Sequence, residues 1–337
     1  MRYGLSASNR GDYADRCAFP AQSSVLDEHA VLERIVPQYQ LPSVRECVFF
    51  SRGDSDIYQL RTSESTYYLK IYRPPDSPAK GEAEGILVNA LLAQGASVVP
   101  AMARHDGNYA TPITASEGTR VVLVFEEAPP HSLDAADEDA YRTLGEAVAR
   151  LHNAGDALDE RLAGAMEEPS LLPYAERLAD EQDFAELQEL QDRVLEQLWP
   201  SGLSGEDDIG WCHADLALCN IRLQDNGEVV FFDFGNARIL SRELELAWLR
   251  GSLRQKLDTS QADHLWSVFE QAYAGVRPFS WPKHTERWQL LWALLKIRWI
   301  GGVMASCPLR MGTETFNPKW VRTQLEGVRE LLRESPS

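Results

Sequence analysis

The sequence has no apolar run long enough to cross a membrane. Its best stretch, residues 290–305, is interrupted by Lys296 and Arg298, whereas a spanning helix needs about 20 largely apolar residues. Residues 1–21 are polar and charged where a secretory leader would carry an apolar segment, so export is not expected. Cysteine is scarce: Cys17, Cys47, Cys212, Cys219 and Cys307 make five scattered positions with no C-x-x-C pair, the pattern of neither a disulfide framework nor a zinc site. These absences together predict a soluble, cytoplasmic chain with no membrane partner. Basic charge is also in deficit, with 33 Lys and Arg against 51 Asp and Glu and a formal net charge of -18. That balance argues against an extended grip on the phosphate backbone, so nucleic acid is not an expected partner. His29, His105, His131, His152, His264 and His284 show no mutual ligand spacing, and no histidine metal site is expected from them.

What is present is enough for a substantial core: 337 residues, 44% hydrophobic, suiting one large domain or two lobes. Residues 1–22 are polar and aperiodic and read as a loosely ordered extension. Ser24 with Asp27 resembles an N-capping arrangement for a helix marked by Leu32, Ile35 and Val36 and limited by Pro37. Segments 45–50, 57–61 and 66–72 are rich in β-branched and aromatic residues between polar turns, as consecutive antiparallel strands are. A helix over 79–93 follows, with Ile86, Leu87, Leu91 and Leu92 as its expected buried stripe and Gly95 as its stop. Strands around 109–113 and 120–126 complete a five-stranded sheet in a first lobe, residues 23–127. Beyond Ala128-Pro129-Pro130, helical patterns dominate residues 128–337, at 138–152, 171–198, 244–256, 261–274, 287–304 and 320–332. The exception is a hairpin, 221–223 and 229–232, about the turn Asp225-Asn226-Gly227. The fold class expected is α+β, in two unequal lobes.

The chemistry concentrates around that hairpin. His213-Ala214-Asp215 is followed by Asn220, and after the hairpin by Asp233-Phe234-Gly235, giving H-x-D-x-x-x-x-N and then D-F-G. Phosphoryl transfer needs little covalent work from a protein: a group to orient the attacking hydroxyl and ligands to hold Mg2+ on the phosphates. Asp215 on a loop can accept the hydroxyl proton, while Asn220 and Asp233 offer the hard oxygens that Mg2+ prefers. The hairpin returns Asp233 to Asn220.

These motifs resemble the protein-kinase-like superfamily, in its aminoglycoside phosphotransferase, choline kinase and type II homoserine kinase branch, over most of the chain. The resemblance implies a bilobal kinase-like fold using ATP and Mg2+, with His213 bracing the catalytic loop, Asp215 as the catalytic aspartate, and Asn220 and Asp233 as metal ligands. Ala214 stands where the branch usually has glycine. Lys70, sharing a strand face with Tyr68 and Tyr72, would contact the ATP phosphates and pair with a helix glutamate; Glu84, 11 residues before Gly95, is preferred to Glu82. The phosphate-covering loop would be residues 51–56. It lacks the G-x-G-x-x-G pattern, so Gly53 and Ser55 are its candidates for approach to the nucleotide. Segment 122–128 resembles the hinge, where backbone groups of Glu126 and Ala128 would meet the adenine edge.

Glu245, in Glu243-Leu-Glu245-Leu-Ala247, resembles the family acid after the metal aspartate and is either a brace for the catalytic segment or an exposed helical acid. Cys212 and Cys219 read as small buried hydrophobes. Seven residues separate Gly235 from Glu243 and no A-P-E follows, unlike the long activation segment of eukaryotic-type protein kinases. Segment 296–302, with Phe316 and Trp320, is similar to the C-terminal helices of type II homoserine kinases and bacterial stress-response kinases; its aromatics are expected in the core. The leading expectation is therefore phosphorylation of an alcohol on a sugar, amino alcohol, amino acid or aminoglycoside. A protein Ser/Thr kinase of the stress-response type and an inactive nucleotide-binding relative are the alternatives, and oligomeric state is left open.

Overall fold

The computed structural model describes residues 24–53, 55–72, 78–134, 136–159, 181–199, 208–282, 285–306 and 318–333. The extension 1–22, Phe316 and the first part of the helix expected from 171 lie outside them. Helix α1 (Glu28–Arg34) leads into strands β1 (Glu46–Arg52), β2 (Ser55–Arg61) and β3 (Thr66–Tyr72). Helix α2 (Pro78–Ala93) and strands β4 (Thr111–Ala115) and β5 (Gly118–Glu126) follow. The five strands form one sheet in the order β1-β2-β3-β5-β4, every neighbouring pair antiparallel. Beneath it Leu60, Leu69, Ile71, Val122 and Val124 are fully buried against Val31 and Tyr39.

Two expectations are corrected here. Asp27 alone caps α1, its Oδ1 accepting the Ala30 N–H at 2.9 Å, while the Ser24 hydroxyl donates to Glu117 at 2.8 Å. In α2, Leu87 and Leu91 are buried but Ile86 and Leu92 are exposed. The helix packs through small residues instead: a Cβ on Gly81 would lie 2.6 Å from Val121, and one on Gly85 2.4 Å from Tyr109. Helix and sheet approach too closely there for a leucine stripe.

After a short strand β6 (His131–Ser132) the chain is mainly helical: α3 (Glu138–Asp156), α4 (Glu181–Leu198), α5 (Arg242–Arg254), α6 (Thr259–Val276), α7 (Thr285–Ser306) and α8 (Pro318–Arg333). Helices α3 and α6 lie close because Gly145 faces the Phe269 carbonyl, 2.5 Å from where a Cβ would stand. Two small sheets carry the motif-bearing loops: β7 (Ile209–Cys212) with β10 (Arg238–Ser241), and β6 with β8 (Ile221–Leu223) and β9 (Val229–Phe231). The β8–β9 hairpin turns at Gly227, whose φ of +83° suits glycine. Hydrogen bonds between Val99 N–H and the Phe231 carbonyl (2.9 Å), and between Phe231 N–H and the Ser97 carbonyl (3.0 Å), tie the segment after α2 to this hairpin. No helix among the described residues is long and apolar enough to cross a membrane.

Candidate active site

Strand β3 delivers Lys70 and helix α2 delivers Glu84. The Lys70 ammonium lies 3.4 Å from Glu84 Oε1 and 2.6 Å from Asp233 Oδ1, and 4.5 Å above the centre of the Tyr72 ring. Glu82 is not the partner: its carboxylate accepts the N–H groups of Tyr109 (2.9 Å) and Ala110 (2.8 Å). Burial alone would lower the Lys70 pKa, but Asp233 and then Glu84 outweigh it and the pKa is raised. Glu84 is fully buried, and that burial, only partly offset by Lys70, pushes its pKa up to about 7. Asp233 is pulled down, chiefly by Lys70. The glycine of D-F-G is explained by the same lysine: a Cβ on Gly235 would stand 2.8 Å from Lys70 Nζ.

The loop between β7 and β8 supplies the remaining groups. Asn220 donates from Nδ2 to the Asp215 backbone carbonyl at 2.9 Å and to Asp215 Oδ2 at 3.1 Å, which fixes the Asp215 carboxylate and leaves Asn220 Oδ1 as an oxygen donor. Phe232 N–H donates to the Asn220 carbonyl at 3.2 Å, the contact by which the hairpin brings position 233 back to 220. His213 Nε2 donates to the Phe232 carbonyl at 2.9 Å, and its ring lies 4.4 Å from that of buried Phe234. The Asp215 pKa is raised, first by burial and further by Asp233, against the opposing charge of His213. Two carboxylates that disfavour each other's charge, beside a free amide oxygen, form a donor set that fits a divalent cation.

Two backbone positions here are left-handed: Ala214 with φ 60° and Asp233 with φ 67°, costly for residues with a side chain. Ala214 is held by its N–H, which donates to Glu245 Oε1 at 2.7 Å. Glu245 is 2% exposed, which rules out the exposed alternative. Its second oxygen accepts from His152 Nε2 at 2.6 Å, and His152 Nδ1 meets the Tyr273 hydroxyl at 2.7 Å. Burial lowers the His152 pKa, so the neutral ring donates from Nε2 and accepts the tyrosine proton on Nδ1. Sequence spacing had given His152 no role. Ligand atoms of His152, Cys212 and Glu245 do lie within 4.8 Å of one another, but with both ring nitrogens of His152 engaged the trio is a hydrogen-bonded brace.

The remaining candidate positions lie along the sheet and its turns. Asp56, within the expected phosphate loop, is fully buried on Arg120 at 2.6 Å, so it anchors the sheet. Gly53 forms the turn with its N–H on the Ser55 carbonyl at 3.0 Å, and Ser55 is buried in β2 opposite Tyr72. Glu126 ends β5 opposite Tyr67, its N–H on the Pro100 carbonyl at 3.2 Å; Ala128 follows, half-buried. No hydrogen bond or ion pair among the described residues joins Gly53, Ser55, Glu126 or Ala128 to the Lys70 cluster. Cys212 is buried as expected, but Cys219 is exposed.

The model of the phosphotransferase enzyme family matches residues 46–279, spanning every group just described. The chain belongs to that family. This phosphotransferase-family chain is 27% identical over 305 residues to an uncharacterized protein of Deinococcus radiodurans, covering 89% of this chain and 88% of the relative. Among solved structures it resembles amicoumacin kinase hAmiN, with a TM-score of 0.72 and 17% identity over 97% of each chain. A microcompartment-associated aminopropanol kinase superposes with a TM-score of 0.64 and 17% identity, over 90% of this chain and 95% of the other. At such identities the likeness establishes the α+β kinase-like fold, and it extends beyond the motifs.

Proposed function

We propose that the chain transfers the γ-phosphoryl group of ATP to a hydroxyl group of a small molecule, with Asp215 as the base that orients that hydroxyl. The observation that carries this reading is the meeting of Lys70, Glu84 and Asp233 from one side with Asp215 and Asn220 from the other. In the step, the acceptor oxygen bonds to the γ-phosphorus as the bond to the β–γ bridging oxygen breaks, ADP leaves, and the hydroxyl proton passes to Asp215. The raised pKa of Asp215 makes it a better proton acceptor than an exposed carboxylate. Asn220 Oδ1 and the Asp233 carboxylate are the groups that would hold Mg2+, which when bound neutralises charge on the phosphates. Lys70, kept protonated by Asp233 and Glu84, is placed to bind phosphate oxygen; the turn at Gly53 and Ser55 would cover the phosphates, and the backbone of Glu126 and Ala128 would meet the adenine.

A small acceptor is favoured over a protein because β10 begins three residues after Gly235 and pairs at once with β7, leaving no long activation segment. The two similar kinases above are named for amicoumacin and aminopropanol, both small molecules. The test is a panel of sugars, amino alcohols, amino acids and aminoglycosides with ATP and Mg2+, read by ADP release and product mass. Asp215→Asn is expected to lower turnover by roughly 10²–10⁴-fold with an unchanged unfolding midpoint. Full activity in that variant would end the proposal.

A further inference from the structure

The Asp215 carboxylate is lightly held for a group that must present one oxygen to a reacting hydroxyl. Among the described residues it accepts a single hydrogen bond, from Asn220 Nδ2 to Oδ2 at 3.1 Å. One bond at one oxygen leaves the carboxyl group free to turn about its last torsion, which has broad wells. Transfer is sensitive to such freedom, because a misplacement of about 1 Å can cost about 10²-fold in rate.

Helix α5 brings a second donor. Glu245 in its first turn grips the Ala214 N–H at 2.7 Å, and Trp248, three residues on, shares that helix face. A long helical side chain leans toward the N-terminus of its helix, here toward the catalytic loop. Trp248 is half-buried as a residue, but its indole nitrogen is fully buried and makes no full hydrogen bond. The group it approaches is the Asp215 carboxylate, near enough for the indole N–H to favour the ionised form. A buried indole N–H ordinarily finds a partner, and this carboxylate is the acceptor it faces.

The ring is also backed from the other side. Trp292 of α7 lies 5.5 Å from it, centre to centre, at 47°. That approach depends on Gly251, the next position of the same helix face: a Cβ there would stand 2.3 Å from the Trp292 ring. With Trp292 packed behind it, the indole has little room to swing away from the loop.

We propose that Trp248 is a positioning residue for the transfer: its N–H and the Asn220 amide together hold the Asp215 carboxylate, so that one oxygen stays aimed at the acceptor hydroxyl. The role goes beyond the reading of Asp215 as the base and rests on it. Among the described residues no hydrogen bond or ion pair joins Trp248 to Lys70, Glu84 or Asp233. Loss of the indole N–H should therefore act on turnover and not on the binding of ATP.

The contact is tested by nuclear magnetic resonance of the indole N–H groups in the full chain, which has nine tryptophans. The signal lost in Trp248→Phe, or in Trp248→Met should the first not fold, belongs to Trp248, and it should shift in Asp215→Ala. This readout needs no turnover. The role is tested by kinetics with ATP, Mg2+ and the acceptor that the panel identifies. Trp248→Phe keeps an aromatic ring against Trp292 and loses the donor, so kcat should fall about tenfold, the worth of one hydrogen bond to a charged group. The KM for ATP and the unfolding midpoint should not change. In an Asp215→Ala background the same substitution should alter the residual turnover by less than about twofold, because the two positions act as one unit. An undiminished kcat in Trp248→Phe, or a full loss that persists without the Asp215 carboxylate, would overturn the proposal. An unmoved Trp248 signal beside an inactive Asp215→Ala would overturn the role of Trp248 alone, whereas full activity of Asp215→Ala would overturn the base and its positioning together.

Discussion

Lys70 and Glu84 reach the cluster on a strand and a helix, whereas Ala214, Asp215 and Asp233 reach it on loops, two of them with left-handed backbone. The first pair is held by burial: Glu84 is fully buried, and one of its carboxylate oxygens has no hydrogen-bond partner. The second group is held by a brace, since Ala214 N–H is tied to Glu245, and through it to His152 and Tyr273. Regular elements thus place charge at an electrostatic cost, and loops place it at a conformational one. The two halves should therefore fail differently when perturbed.

The largest effect is expected where the halves meet. Asp233→Asn removes both the partner of Lys70 and the charged oxygen donor, so turnover should fall by about 10³-fold or more, with a modest change in stability because Asp233 is about half exposed (47%). Steady-state assays with ATP and Mg2+ alongside urea midpoints check this; unimpaired turnover would separate the two halves altogether. Glu245→Gln reverses the pattern. Its amide turns a donor toward either Ala214 N–H or His152 Nε2, leaving a buried group unsatisfied, so a stability loss of about 3 kcal/mol is expected together with a fall in kcat and little change in the KM for ATP. A KM effect without loss of stability would contradict the brace.

Glu84→Gln tests the buried half through pH. Glu84 is raised from an ordinary 4.5 to about 7, so between those values the unfolded chain has lost a proton that the folded chain keeps, and stability falls as pH rises. Relative to the parent, Glu84→Gln should therefore be about equally stable at pH 4.5 and more stable above pH 7, by on the order of 2–3 kcal/mol, while losing activity because Lys70 is less firmly oriented. Urea unfolding of both proteins at pH 4.5 and 8 measures the difference. A pH-independent gap would mean that Glu84 is ionised throughout.

The same contrast governs what could be read before the structure. The nearness of His213, Asp215, Asn220 and Asp233 was legible because H-x-D-x-x-x-x-N and D-F-G fix their spacing about one hairpin, whereas Lys70 stood out only through the family resemblance. Glu84 was preferred to Glu82 only on its spacing from Gly95, the two being two positions apart on one helix; the arrival of the Tyr109 and Ala110 N–H groups is what claims Glu82. His152 was invisible as a brace, because its contact with Glu245 is made by packed helices 93 residues apart in the chain. The exposed Ile86 and Leu92 misled for a related reason: α2 is packed by Gly81 and Gly85, and missing side chains leave no hydrophobic mark.

The smallest expected effect addresses strain directly. Ala214 replaces the glycine usual to the branch and adopts φ 60°, at a cost of roughly 1–2 kcal/mol for an L-residue. Ala214→Gly relieves that strain but gives the unfolded chain more freedom, worth about 0.4–1 kcal/mol in the opposite direction. The first term wins, so Ala214→Gly should be more stable by about 0.5–1 kcal/mol, with kcat unchanged because Glu245 still holds the backbone N–H. Chemical denaturation resolves a shift of that size. A destabilised Ala214→Gly would mean that the alanine methyl contributes packing exceeding its strain, and the loop half of the site would then be held by side-chain contact rather than by its brace.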